Sequence, residues 1–275
     1  MLAGRCPCQT GAVLEERWIR SLHVETMRER DLHGGHEPHV LFQASTIGAL
    51  LDGAYDGDLS FAELAEHGDF GLGTLNGLDG EMIALDGSFY RADVDGAIHP
   101  VDPGEKTPFA VVVDFDPSID EAIDGPLSHE ELLARLDDLA PRGASSCAVR
   151  LDGRFDLVRA RSVPKQHPPY RPLTEVIAEQ HVFDLADVSG TMLGFRFPDY
   201  AEGIEVAGYH LHFISEDRAR GGHVLDSRTA AARARIDPSN DLHVELPPRV
   251  DLVDPSLTAA THDAVRLVEG GQQRR

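Results

Sequence analysis

Lysine is scarce in this 275-residue chain, which contains only Lys106 and Lys165. With 47 acidic against 25 basic residues, the formal net charge is −22. A surface of this sign repels phosphate backbones and anionic lipids, which argues against nucleic-acid or membrane partners. No apolar run approaches the roughly 18 residues that a membrane helix needs, and the N-terminus lacks the basic start and apolar block of a secretory signal. We therefore expect a cytoplasmic protein.

Cysteine is also rare, with Cys6, Cys8 and Cys147 as the three examples. An odd and sparse set cannot form a disulfide framework, and it fits a reducing compartment. The remaining composition, 41% apolar and 26% charged, is ordinary for a globular protein. Cysteine chemistry is therefore not expected to define the fold or the site.

The order of helical and strand patterns predicts an α+β fold with two sheet-based halves, built from mixed and antiparallel strands with a few short helices. Several prolines between residues 164 and 172 mark the linker between the halves. The predicted division is a poorly ordered N-terminal extension (1–39), an N-terminal α+β domain (40–165), a C-terminal β-rich domain (166–255) and a C-terminal tail (256–275).

Local signals place individual elements within this division. Two S-x-x-E capping boxes predict short helices that start after Ser60 and Ser128. The spacing of apolar residues favours two further helices, one within residues 41–57 that ends at a glycine, and one near 15–30. A turn dipeptide at Asp152-Gly153, flanked by apolar runs, predicts a β-hairpin.

The stretch GYHLHFISEDRARGGHVLD, residues 208–226, has the strongest chemical signal in the chain. Its first part is rich in β-branched and aromatic residues, which predicts a strand. Side chains two residues apart on a strand face the same way. His210 and His212 therefore share one face, and Leu211 and Phe213 fill the other.

A turn near residues 217–218 would place His223 opposite His212 on the returning strand, where Cβ atoms on one face lie about 5 Å apart. Three imidazoles would then converge, and three neutral histidines with an open fourth position form the pattern of a catalytic zinc site. The spacing His210-x-His212-x3-Glu216 also resembles the first metal motif of the cupins, although the second cupin motif has no match downstream. Isolated histidines and a non-catalytic metal-binding module remain alternatives, as does a cupin-like lyase or dioxygenase.

The chain resembles the α-acetolactate decarboxylase family in a series of ordered blocks. The resemblance runs from about residue 40 to residue 269 and is carried by FQASTIGALLDGAYDGD, HGDFGLGTLNGLDGEMI, KTPFAVVVDF, RARSVPKQHPPYRPL, GTMLGFRFPDY and GYHLHFISEDRARGGHVLD. It implies zinc bound by His210, His212 and His223.

The same resemblance implies further site residues and a reaction. Glu81, Arg161 and a C-terminal glutamate, mapped here to Glu269, match the family's catalytic positions, and Thr74 and Arg161 match its substrate-binding positions. The implied reaction converts (S)-2-acetolactate, a 2-hydroxy-3-keto acid, into (R)-acetoin and CO2 in acetoin and 2,3-butanediol biosynthesis. It requires neither thiamine diphosphate nor pyridoxal phosphate. The resemblance also implies a homodimer and a C-terminal tail that folds back so that Glu269 reaches the substrate.

Overall fold

The computed structural model describes residues 23–26 and 39–246, which form fifteen strands and four short α-helices. The strands are β1 (His23–Thr26), β2 (Val40–Ala44), β3 (Leu59–Ser60), β4 (Phe70–Thr74), β5 (Glu81–Leu85), β6 (Ser88–Ala92), β7 (Ile98–Pro100), β8 (Lys106–Thr107), β9 (Ala110–Val113), β10 (Ile119–Ser128), β11 (Ser146–Ser162), β12 (His181–Phe197), β13 (Gly208–Ser215), β14 (Gly221–Ser239) and β15 (Asp241–Glu245). The helices are α1 (Ile47–Leu51), α2 (Phe61–Leu64), α3 (His129–Leu139) and α4 (Leu173–Val176). Within these described ranges, no helix combines the length and apolarity needed to cross a bilayer.

Two large sheets dominate the structure. The eight-stranded sheet has the order β1-β15-β2-β9-β4-β5-β6-β7, and it is mixed because β15 runs parallel to both β1 and β2. The five-stranded sheet is antiparallel, with the order β10-β14-β11-β12-β13, and β13 pairs with β14 as well. The predicted α+β class, with mixed and antiparallel sheets and few short helices, is confirmed.

The two sheets pack against each other through a shared apolar core. Leu72 and Ile83 from the eight-stranded sheet belong to the same buried cluster as Leu193, Phe195 and Ile214 from the five-stranded sheet. Burying apolar area of this kind stabilises a fold by about 25 cal/mol per Å². The functional residues described below lie between these sheets, so this core fixes their relative positions.

Each sheet is covered by a short helix on the face away from the shared core. Leu132 and Leu136 of α3 pack in a second buried cluster with residues of the five-stranded sheet, including Phe213. Phe61 and Leu64 of α2 belong to a third cluster, on the outer face of the eight-stranded sheet. Both helices begin with the predicted capping boxes, at Ser60 and Ser128, which are confirmed.

The division between the sheets does not coincide with the predicted domain division at residue 165. Strands β10 and β11, from the predicted N-terminal domain, belong to the five-stranded sheet. Strand β15, from the predicted C-terminal domain, belongs to the eight-stranded sheet, and β1 joins that sheet from within the predicted extension. Residues 256–275, predicted as a tail that folds back, lie outside the described residues.

One predicted helix is confirmed only in part, and another is wrong where the structure describes it. Residues 40–44 form strand β2, and the helix begins only at Ile47, because β2 pairs with β15 on one side and β9 on the other. Both faces of β2 are buried, through Leu41 and Phe42, and a strand buried on both faces loses the alternation that would identify it. Residues 23–26 of the predicted helix near 15–30 form β1, and the remainder lies outside the described residues.

The predicted hairpin at Asp152-Gly153 is also wrong. Strand β11 continues through both residues, with β12 on one side and β14 on the other. Gly153 lies opposite Gly190 and Ala232, and a Cβ at this position would come within 2.3 Å of the Ala231 carbonyl oxygen. The glycine therefore permits close strand packing, where the local pattern had indicated a turn.

Candidate metal centre and active site

Three histidines converge on one face of the β13–β14 hairpin, as the sequence predicts. His210 and His212 point towards the space between the sheets, whereas Leu211 and Phe213 pack in the cluster beneath α3. His223 lies directly opposite His212 in the register of the two strands. One ring nitrogen from each histidine lies within 4.8 Å of the others, and all three side chains are buried. Such a set of imidazoles could hold a metal ion.

A backbone carbonyl selects the nitrogen that His212 offers to this centre. The His212 Nδ1 atom lies 2.8 Å from the carbonyl oxygen of Met82. A carbonyl can only accept, so Nδ1 carries the proton and donates it, and Nε2 keeps its lone pair. Outer hydrogen bonds of this type fix the tautomer and orientation of metal-binding histidines. No sequence motif identified Met82, because its contribution comes from the main chain.

The protonation states of His210 and His212 suit metal binding. Burial, followed by the positive charge of Arg161, lowers the pKa of His210 to about 3. Burial, the neighbouring His210 and the Arg161 charge hold the pKa of His212 well below its ordinary value, against a smaller opposing effect of the Met82 hydrogen bond. Both imidazoles are therefore neutral at pH 7, and the neutral form is the one that binds metals.

Glu81 and Arg161 meet beside the histidines although they lie 80 positions apart in the chain. Arg161 Nη1 donates to Glu81 Oε1 at 3.2 Å, and both side chains are almost fully buried. The other carboxylate oxygen, Oε2, lies 3.6 Å from His212 Nε2. Strand pairing brings the two residues to the same place. Arg161 on β11 is opposite His223 on β14, and Glu81 begins β5 in the facing sheet. A carboxylate, a guanidinium and three imidazoles thus share one site.

Thr74 lies next to Glu81 in the same site. It ends β4 directly opposite Glu81 at the start of β5, and its hydroxyl donates to the carbonyl oxygen of Gly80 at 2.8 Å. The structure therefore brings six of the seven predicted site residues together. The seventh, Glu269, lies outside the described residues, and its place in the site stays a prediction.

The site opens into a small cavity of about 40 Å³. This volume is far below the 300–1,000 Å³ typical of drug-sized ligand sites. A larger groove of about 310 Å³, between β10 and α3, contains none of the groups described above. Sequence reasoning missed the apolar residues that line the site cavity, which are Ile47, Leu50, Leu78, Phe109, Val163 and Leu173.

The fold and the site together define an enzyme site for a small molecule, with donors for one metal ion beside an acidic and a basic group. A family model described as "Alpha-acetolactate decarboxylase" matches residues 41–258. The chain belongs to the α-acetolactate decarboxylase family and is a carboxy-lyase.

Curated relatives of this family resemble the chain over most of its length. The α-acetolactate decarboxylase of Methylococcus capsulatus is 46% identical over 235 residues, which cover 86% of this chain and 90% of the relative. That of Methanosarcina mazei is 44% identical over 230 residues, covering 84% and 80%.

Solved structures agree with the sequence comparison. The crystal structure of α-acetolactate decarboxylase from Bacillus subtilis strain 168 superposes with a TM-score of 0.79 at 38% identity, covering 84% of this chain and 99% of that one. A Staphylococcus aureus protein described as of unknown function and similar to α-acetolactate decarboxylase has a TM-score of 0.77 at 30% identity. The cupin-like and non-catalytic alternatives are therefore set aside.

Proposed function

We propose that the protein is a zinc enzyme that converts (S)-2-acetolactate into (R)-acetoin and CO2. The convergence of three buried histidines, of which His210 and His212 are neutral, beside the Glu81–Arg161 pair is the observation that carries this proposal. The acetoin formed would enter acetoin and 2,3-butanediol biosynthesis. A homodimer stays a prediction that follows from the resemblance, and a cytoplasmic location stays a prediction that follows from the sequence. Sedimentation of the purified protein tests the oligomeric state.

The residues present fit a zinc ion. Among the described residues, His212 Nε2 is buried and has no hydrogen-bond partner, which is costly for a polar atom unless something else binds it. Its lone pair, with nitrogens from His210 and His223, supplies the three imidazole ligands that a catalytic zinc site requires. When bound there, zinc would act as a Lewis acid that polarises a carbonyl oxygen and stabilises developing negative charge.

The substrate itself explains why no organic cofactor is required. Decarboxylation breaks the bond between the carboxylate carbon and C2, and the bonding electron pair must be accommodated. In 2-acetolactate the adjacent ketone accepts it, which gives an enediolate after CO2 has left. Thiamine or pyridoxal cofactors serve as electron sinks for substrates that lack such a group. The protein therefore has to bind and orient the substrate and to protonate the enediolate.

Arg161 is proposed to bind the anionic end of the substrate. Its guanidinium is a planar fork of N–H donors that always carries a positive charge, and this shape matches carboxylate or enediolate oxygens. Burial strengthens these interactions because water does not screen them as it would at a surface. Thr74 is proposed to shape the same subsite, since its hydroxyl is held at Gly80 beside Glu81.

Glu81 and Glu269 are proposed as the carboxyl groups that donate the proton to the enediolate or hold the substrate hydroxyl. Protonation of C2 on one face of the enediolate determines the configuration of acetoin, so the proton donor must occupy a fixed position. Glu81 is held by Arg161 next to the histidine cluster, which supports a role at the reacting carbon. Glu269 is proposed from the family resemblance alone, either to donate this proton or to hold the substrate hydroxyl.

One experiment tests the reaction, the metal and the stereochemistry together. Purified protein is analysed for metals, then supplied with (S)-2-acetolactate while CO2 and the enantiomers of acetoin are measured. We expect about one zinc per chain, CO2 release and (R)-acetoin, with activity lost after chelation and restored by zinc. Full turnover without metal would refute the zinc requirement, and racemic acetoin would refute the stereochemical proposal.

A further inference from the structure

The turn between Thr74 and Glu81 has an unusual backbone for the position it occupies. Leu78 lines the site cavity and has φ of 55°, in the left-handed region that disfavours side chains with a Cβ. Asp79, at φ −76° and ψ 62°, forms an inverse γ-turn in which Gly80 N–H donates to the Leu78 carbonyl oxygen at 2.8 Å. Strained conformations persist only where surrounding contacts determine them. Something outside the turn must therefore hold it.

Two cations outside the turn contribute to holding it, and both bind Asp79. Its Oδ2 atom accepts from Arg91 Nη1 at 3.1 Å and from Lys165 Nζ at 2.8 Å. The two contacts differ in what they connect. Arg91 lies on β6, which pairs with β5, so that contact stays within the hairpin that carries Glu81. Lys165 lies four residues after Arg161. Its contact with Asp79 therefore connects the β5–β6 hairpin, which carries Glu81, to residues 161–166, here called the Arg161 segment.

A second contact reinforces the connection to the Arg161 segment. Gln166 N–H donates to the carbonyl oxygen of Gly77 at 2.6 Å. Gly77 has φ of 70°, and a Cβ there would come within 2.9 Å of the Gln166 carbonyl oxygen and within 3.7 Å of the Lys165 stem. The Lys165 stem therefore packs along the turn, and its ammonium reaches Asp79 beyond it.

We propose that Asp79 is a positioning residue that, by holding Lys165, sets the distance between Glu81 and Arg161. The inference rests on the roles proposed above for these two residues. The inner pair, Glu81 with Arg161, and the outer pair, Asp79 with Lys165, join the same two chain segments. Loss of the outer pair lets the segments shift, and small displacements of reacting groups reduce turnover.

Lys165→Met tests the proposal, with Arg91→Met as the matched control. Methionine keeps most of the apolar stem and removes the charge in each case. We expect Lys165→Met to lower kcat about three- to tenfold, since the pair is partly exposed and misplacement is small, with unchanged KM, zinc content and Tm. Arg91→Met should leave kcat unchanged, and Lys165→Arg should restore it. Equal losses in the two methionine variants would overturn the proposal.

Two further variants show whether the effect passes through Glu81. Asp79→Asn should lower kcat as Lys165→Met does. In a Glu81→Gln background, adding Lys165→Met should cause no further loss, because the group being positioned is already gone. A full additional loss in that background would mean that Lys165 acts by another route, and the inference would be wrong.

The outcomes also separate this inference from the proposed function. If Glu81→Gln turns over at the wild-type rate, the proposed role of Glu81 fails, and the positioning role that rests on it fails as well. If Glu81→Gln is slow and Lys165→Met is as fast as wild type, the proposed function stands and the positioning role alone fails.

Discussion

The β13–β14 hairpin and strand β11 supply the two parts of one site by different means. The hairpin carries all three histidines within residues 210–223, and neighbouring strand positions bring them together. Strand β11 carries Arg161, whose partner Glu81 lies in the facing sheet, 80 positions earlier. The proposed metal site therefore depends on local strand pairing, whereas the Glu81–Arg161 pair depends on how the two sheets pack. Variants that separate these two parts test whether the distinction holds.

The largest effect is expected from the hairpin. His212→Ala leaves two imidazoles, and its loss of zinc affinity should exceed the roughly 10–100-fold that removal of an outer-shell partner causes. Metal analysis after dialysis measures the loss, and decarboxylation should fall with it. His181→Ala is the control, because His181 is an exposed histidine on β12 of the same sheet. Full activity in metal-free His212→Ala protein would rule out the assigned metal site.

Arg161→Lys should affect catalysis without affecting the metal. Lysine keeps the charge and loses the planar fork of donors, so we expect kcat/KM to fall roughly tenfold to a thousandfold, or about 1.4–4 kcal/mol. Zinc content should not change. Arg159→Lys is the matched control on the same strand, because Arg159 pairs with Asp184 at the surface. If both variants keep wild-type kinetics, Arg161 has no role in binding the substrate.

Substitution of Glu269 is expected to have a smaller effect, which is limited to catalysis and does not extend to zinc binding. Glu269→Gln keeps the shape and removes the acid, so turnover or the handedness of acetoin should change while zinc stays bound. Deleting residues 267–275 should give the same result, and deleting residues 272–275 should not. Chiral analysis of the acetoin is the measurement. Normal (R)-acetoin at the normal rate from Glu269→Gln would show that another residue is the second carboxyl group.

The hairpin could be predicted from the sequence because its determinants are local. Alternation along a strand fixes which side chains share a face, and a short turn fixes the register of the returning strand. His210, His212 and His223 needed nothing else to be placed together. The turn itself contains one residue in the left-handed region that is not a glycine, Arg218 at φ 57°.

The rest of the site lacks such local determinants. Glu81 follows a turn dipeptide and Arg161 stands beside Arg159, so each resembles a surface residue until the two sheets are packed together. Only the family resemblance pointed to them. The dipeptide Asp152-Gly153 failed for a related reason, because its turn preference was overridden by β12 and β14, whose pairing residues lie far along the chain. The apolar cavity wall likewise comes from segments that carry no pattern in common.

Gly153→Ala tests this explanation of the wrong hairpin. If close strand packing requires the glycine, the new methyl group will push against the Ala231 carbonyl, and the free energy of unfolding should fall by about 1–3 kcal/mol. Gly104→Ala, in an exposed loop, should have little effect. Denaturant unfolding of the zinc-loaded proteins measures both. Equal stability of the Gly153→Ala variant and wild type would mean that the neighbouring strands yield easily at this position.

The smallest effect is expected from Asp152→Asn, which tests the hydrogen bonds that Asp152 makes in the sheet at the position where a turn was predicted. The Asp152 carboxylate accepts from Arg150 Nε at 2.9 Å and from the Thr191 hydroxyl at 2.8 Å, and Arg235 also donates to it. Three strands are thus joined at a residue that the local pattern assigned to a loop. At pH 7 the variant should lose about 1–2 kcal/mol of unfolding free energy, because hydrogen bonds to a charged, half-buried group are lost.

The dependence of this loss on pH separates the carboxylate's charge from its shape. Burial alone would raise the pKa of Asp152, but the hydrogen bonds from Arg150, Thr191 and Arg235 hold it below the ordinary value. A carboxyl group with a lowered pKa in the folded state stabilises the protein above its unfolded pKa, near 3.9, and that contribution disappears as the pH falls through the folded pKa. The difference between wild type and Asp152→Asn should therefore be constant from pH 7 to pH 5 and shrink at lower pH. Asp156→Asn, at a somewhat more exposed position on the same strand, is the control variant. A difference that stays constant down to pH 3 would mean that side-chain shape, and not the ionised carboxylate, joins the three strands.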